Sequence, residues 1–170
     1  MEHYTARKIF EGGDVKQVMF FNTIPGHNMI FRKELLAYAA PFPQHIFYDW
    51  WLLICAATYG QVAGTDAVLG FHRYHESNLT LGKKDEKKQT RGKAEERLRT
   101  AKAILHLKGL DPHEQAFARE LVKALESLEG KRFSRSLFFF LARNAGTVFF
   151  FKKRSFISRL KMAYRMSFAI

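Results

Sequence analysis

The chain carries one cysteine, Cys55, among 170 residues. It can close no disulfide within the chain, and a solitary thiol suits a reducing compartment. Proline is scarce: Pro25, Pro41, Pro43 and Pro112 each fall where an element is expected to start or stop. Residues 1–15 are mixed and charged, without the apolar stretch of a signal peptide. No apolar run approaches the ~18 residues needed to span a bilayer, so a soluble or surface-bound chain is expected. The most uneven shortage is of acid. Residues 131–170 contain ten Lys and Arg and no Asp or Glu. Residues 1–82 hold 6 basic against 7 acidic side chains, whereas residues 83–170 hold 22 against 9, which accounts for the net charge of +12. A one-signed surface of this kind concentrates polyanions around it. Phosphorylated lipid, anionic membrane and nucleic acid are all candidates.

Three segments are expected along the chain. Residues 1–81 mix short apolar runs with Gly and Pro, as an α/β or α+β domain does. Residues 82–91 (GKKDEKKQTR) form a charged linker with nothing to bury. Residues 92–170 read as consecutive helices. In the first segment, residues 18–24 (VMFFNTI) predict a buried strand closed by Pro25 and Gly26. Residues 29–40 carry Ile30, Leu35, Leu36 and Ala39 on a helical period, and Pro41 and Pro43 stop that helix. A second helix spans residues 48–59 and ends at Gly60. Residues 61–68 and 69–74 read as strands or edge segments.

Beyond the linker, Leu98, Ala101 and Leu105 mark one face of a helix over residues 94–108. Asp111 and Glu114 predict a capping box, with Pro112 at the first helical position. Phe117, Leu121, Leu125 and Leu128 then keep the period up to Gly130. These two helices are expected to pair antiparallel. Residues 134–143 and 155–168 complete the set, each opened by a serine and dense in Phe or Leu.

The residues that can carry chemistry lie between Gly26 and Asn78. Gly26, His27, Asn28 and Arg32 belong to a Gly-started turn into a helix, where free backbone N–H groups can hold a hydroxyl or phosphate. Asp49 stands at a helix start beside Trp50 and Trp51. Rings stack on the apolar face of a pyranose, and a nearby carboxylate can take a proton from an attacking hydroxyl. Asp49 is also an ordinary helix-capping residue, and a tryptophan pair is by default core. Farther on, His72, Arg73, His75 and Asn78 gather imidazoles, a guanidinium and an amide. Two histidines alone make a weak metal site. The triplet at Asn78 fits a glycosylation acceptor, but nothing indicates secretion.

In order, G-H-N-M-x-F-R-K-E-L-L, P-F-P, Y-D-W-W and R-x-H-x-S-N resemble the second half of bacterial family 2 glycosyltransferases. Many of these add rhamnose or similar sugars to surface polysaccharide. The resemblance covers about residues 18–81. It implies an α/β fold: the partial GT-A (Rossmann-like) C-terminal, acceptor-side half over residues 1–81, followed by a basic α-helical tail over residues 92–170. It also implies that Asp49 is the catalytic base of an inverting hexosyl or deoxyhexosyl transfer. Gly26, His27, Asn28, Arg32, Trp50 and Trp51 would line the sugars. Arg73 and His75 would face the diphosphate, His75 also standing near the metal. The D-x-D metal motif of that family occurs nowhere in the sequence. The nucleotide-sugar donor and the divalent cation, Mg or Mn, are therefore expected of a missing half.

The acceptor is expected to be a glycan or lipid-linked glycan. Arg135, Arg143, Lys152, Lys153 and Arg154, set among the Phe-rich runs, fit a helix on an anionic membrane surface. Residues 131–170 would thus hold the chain at the cytoplasmic, inner face of the cell membrane. Nucleic acid is the weaker partner, because no DNA- or RNA-binding motif accompanies the charge. The competing expectation is a non-catalytic remnant or accessory module that binds anionic membrane or glycan.

Overall fold

The run YDWWLLICAATY has one charged side chain and no Gly or Pro, so nothing in it interrupts a helix and almost nothing in it favours water. In the computed structural model it forms helix α2, Tyr48–Tyr59, with Trp50, Trp51, Leu52, Leu53, Ile54, Cys55 and Ala57 all buried. A helix apolar on nearly every side belongs in the interior of a fold, and the turns and short helix that precede it in the chain pack against it. The structure describes residues 9–65, 67, 86–151 and 155–168, with backbone alone for residues 86–91. Ahead of α2 lie 3₁₀ turns at Val15–Gln17, Gly26–Asn28 and Lys33–Leu35, and the short helix α1, Leu36–Ala39. After it come α3, Glu86–Ile104; α4, Pro112–Glu126; α5, Arg135–Arg143; α6, Ala145–Val148; and α7, Phe156–Met166.

The α/β expectation is overturned. The described residues are mostly helical and contain no sheet, only two isolated bridges, Gly12 with Val62 and Phe133 with Phe168. Residues 18–20 are buried as expected of a core strand, yet they run as a turn and bends. Burial without a neighbouring strand cannot build a ladder. The carbonyl of Val18 accepts instead from the Trp50 indole N–H at 2.7 Å. The helix expected over residues 29–40 shrinks to the Lys33–Leu35 turn and α1, with Met29 and Arg32 extended. Ala39 is buried and Leu35 packs against the core, whereas Ile30 is 93% exposed; only the end of the apolar stripe finds a surface, and packing supplies most helix stability. Of the strand read over residues 61–68, the described part shows only the Val62 bridge. Residues 69–74 lie outside the described residues. Residues 86–91, read as linker, are the first turns of α3.

The helical region follows its local signals closely. The Asp111 side chain accepts from the Glu114 N–H at 2.7 Å, and Glu114 returns the bond to the Asp111 N–H at 2.9 Å. Ser134 caps α5 by accepting from the Leu137 N–H at 3.0 Å. The α3–α4 pair is not a simple antiparallel hairpin. Lys102, in the last turn of α3, pairs at 2.9 Å with Glu126, the last residue of α4, so the two C-terminal ends meet.

One core joins these parts. Phe10, Val15, Met19 and Phe20 pack in the same buried cluster as α2, Ile104, Leu121, Leu141, Phe149 and Ala163. Phe21 meets Phe149 at 5.9 Å and Phe151 at 5.5 Å between ring centres, and Phe10 meets Phe150 at 6.0 Å. Cys55 is fully buried, and burial pushes its thiol up to about 12. Thiolate is the reactive form, so iodoacetamide at neutral pH should leave Cys55 intact in the native protein. In denaturant it should label quantitatively, read by intact mass; rapid labelling of the native protein would contradict this burial.

Candidate functional site

Asp49 is the second residue of α2, where the helix N-terminus favours a negative charge. Its Oδ1 accepts from the Trp50 N–H at 2.8 Å, and its Oδ2 accepts from the Gly26 N–H at 3.0 Å. The turn at Gly26–Asn28 and the helix start, 23 residues apart in sequence, are thereby joined. Gly26 lies close against the Tyr48 ring and hydroxyl, so a Cβ there would push that side chain aside. Asp49 is half-buried, while His27, Asn28 and Arg32 are exposed. Each carboxylate oxygen gives one lone pair to the backbone and keeps another to accept from a bound hydroxyl.

The tryptophans do something else. Trp50 and Trp51 are 4% and 5% exposed, and their indole N–H groups donate to Val18 O at 2.7 Å and Ala39 O at 2.9 Å. Both rings are core pillars under the site, not available to stack on a sugar. The exposed aromatic rings of this region are Phe31, Tyr38, Phe42, Phe47 and Tyr48. Tyr48, against the Gly26 turn, is the one the structure fixes beside Asp49. Sequence reasoning passed over it because the Trp pair is the stronger motif. Its position at the first turn, one residue before Asp49, was the available signal.

Searches of protein-family models, curated proteins and solved structures return no match to this chain.

A second addition comes from α3. The Arg97 guanidinium lies 4.8 Å from the Phe20 ring centre and 5.0 Å from that of Phe21, a double cation–π contact. Burial lowers the Arg97 pKa to about 10, which leaves it cationic at neutral pH. Neighbouring Glu96 is pushed up by burial; Arg97 and Arg99 hold it down, and the charge of Asp49 raises it further. Glu96 and Asp49 therefore share one electrostatic neighbourhood. Nothing in the periodicity of α3 singles out Glu96 or Arg97, because the partners that define them are about 50 to 75 residues away.

Arg73 and His75 lie outside the described residues, as do His72 and Asn78. Among the described residues no group of three or more His, Cys, Asp or Glu could hold a metal ion. No described helix is long and apolar enough to cross a membrane.

Proposed function

We propose that the Gly26–Asp49 junction is the acceptor side of a glycosyltransferase site. The observation that carries this reading is the half-buried Asp49 carboxylate, pinned by the Gly26 and Trp50 N–H groups beside the exposed Tyr48 ring. The backbone bonds fix its direction, and its remaining lone pairs take the proton of an acceptor hydroxyl as that oxygen attacks the anomeric carbon; the donor's C–O bond breaks and the nucleotide diphosphate leaves with its electron pair. Tyr48 covers an apolar sugar face. Inversion needs only this one base. The nucleotide-sugar donor and its divalent cation belong to a donor-binding half with a D-x-D motif, and no step assigned here runs through the metal. The acceptor is a glycan or lipid-linked glycan, used at the cytoplasmic face of the cell membrane.

The test is Asp49→Asn in this chain joined to such a donor-binding half. Asparagine keeps the shape and one acceptor oxygen but cannot take the proton. Sugar transfer should fall by about 10²–10⁴ at temperatures where the variant is still folded, the usual weight of general acid–base catalysis. The midpoint should drop only a few degrees, because the amide nitrogen can no longer accept one of the two backbone N–H bonds. Unchanged transfer removes the base assignment. A second reading rests on the same two hydrogen bonds: Asp49 as a pin holding turn to helix in a non-catalytic glycan- or membrane-binding module. In that case the variant loses stability and no transfer is found in any form of the chain.

A further inference from the structure

The last forty residues hold ten basic side chains and no acidic one, and the fold decides where those charges go. Arg143 is already paired, at the surface, with Glu120 of α4. Lys131, Arg132, Arg135, Lys161 and Arg165 are all exposed, and none has a carboxylate partner among the described residues. On α7, Ile157, Lys161 and Tyr164 follow one another at helical spacing along a single exposed stripe. On α5, Arg135, Phe139 and Arg143 do the same. The two helices pack together, with the Phe138 ring 6.2 Å from Tyr164 and 5.5 Å from Phe139.

Between them lies an open hollow of about 410 Å³ lined by Phe138, Leu160 and Tyr164, with Lys161 and Arg165 at its edge. Beside it, Phe156 and Ile157 at the start of α7 are each 64% exposed. An exposed apolar strip rimmed by unpaired cations has few fitting occupants. A second copy would set like charges against each other. Nucleic acid would satisfy the cations, and bases could stack on Tyr164 or Phe156, but aliphatic Ile157 offers no stacking face. A bilayer with anionic headgroups satisfies both halves of the pattern: phosphates meet the cations, and the acyl boundary takes up the apolar side chains.

We propose that the exposed face shared by α5 and α7 docks on an anionic phospholipid surface, with Phe156 and Ile157 entering the acyl boundary and Lys161 and Arg165 holding headgroup phosphates. This names the surface behind the membrane location given above, and it holds whether or not Asp49 is a base.

The experiment is co-sedimentation of the full chain with vesicles of equal parts phosphatidylcholine and phosphatidylserine, against pure phosphatidylcholine. Binding is expected to the mixed vesicles alone and to weaken as salt rises. The exposed pair Phe156→Ser with Ile157→Ser should weaken it at least about tenfold. Lys161→Glu with Arg165→Glu should weaken it by about thirtyfold or more, at about fivefold per basic residue. Both variants should keep the wild-type far-UV circular dichroism, since none of the four side chains is buried. Asp49→Asn should bind like wild type, which separates failure of this surface from failure of the catalytic reading. Equal binding to both vesicle types overturns the proposal. So does wild-type binding by both double variants, or tighter binding to duplex DNA that ignores Phe156 and Ile157.

Discussion

Replacing Trp50 with alanine should lower unfolding stability by about 3–5 kcal/mol, the range for removing a large buried aromatic side chain. Trp50 is 4% exposed at the centre of the core, and its indole N–H satisfies the Val18 carbonyl at 2.7 Å. Two terms therefore act in the same direction: a cavity where the ring stood, and an orphaned carbonyl in the bend that replaces a strand. Trp50→Phe separates them. It restores most of the ring but not the donor, so its cost should be about 1–3 kcal/mol. For a chain of this length 1 kcal/mol moves the midpoint by roughly 2–4 °C, so the alanine variant should melt on the order of 10 °C lower. Far-UV circular dichroism against temperature or urea measures both. A shift of only a degree or two for Trp50→Ala would mean that the ring is not a core pillar, and would return it to the sugar site.

The second large effect is expected far along the chain. Phe149 is fully buried, and it contacts Phe21 at 5.9 Å. Truncating it to alanine should again cost about 3–5 kcal/mol. The informative part is which signal moves. Both tryptophans, Trp50 and Trp51, sit in α2, so their fluorescence reports on the first part of the chain, whereas circular dichroism is dominated by the later helices. If the buried cluster is one cooperative unit, Phe149→Ala lowers both midpoints together, as coincident probes of a two-state transition require. A tryptophan transition that stays at its wild-type position while the dichroism shifts would split the chain into two independent units.

Some of this was legible in the residues. Helix α2 spans the expected residues 48–59 because apolar composition, an acidic first turn and a terminal Gly60 all point one way. The capping box at Asp111 and the serine cap at Ser134 formed as local chemistry requires. The hydrogen bond from the Gly26 N–H to Asp49, 23 residues away, is a tertiary result that neither local motif specifies. The misreadings share a cause. Residues 18–24 are apolar enough for a strand and residues 29–40 periodic enough for a helix, but each outcome depends on a neighbour that local sequence does not specify.

The sequence by itself determined the one-signed charge of the last forty residues and the strongest helices. Tertiary structure alone decided where the side chains point. It turned Trp50 and Trp51 inward as pillars and left Tyr48 beside the carboxylate. It paired Arg143 with Glu120 and left Lys161 and Arg165, beside an apolar hollow, without a carboxylate partner among the described residues. The physical reason is that composition and period set which side chains avoid water, whereas partners distant along the chain set which of them find something else to touch.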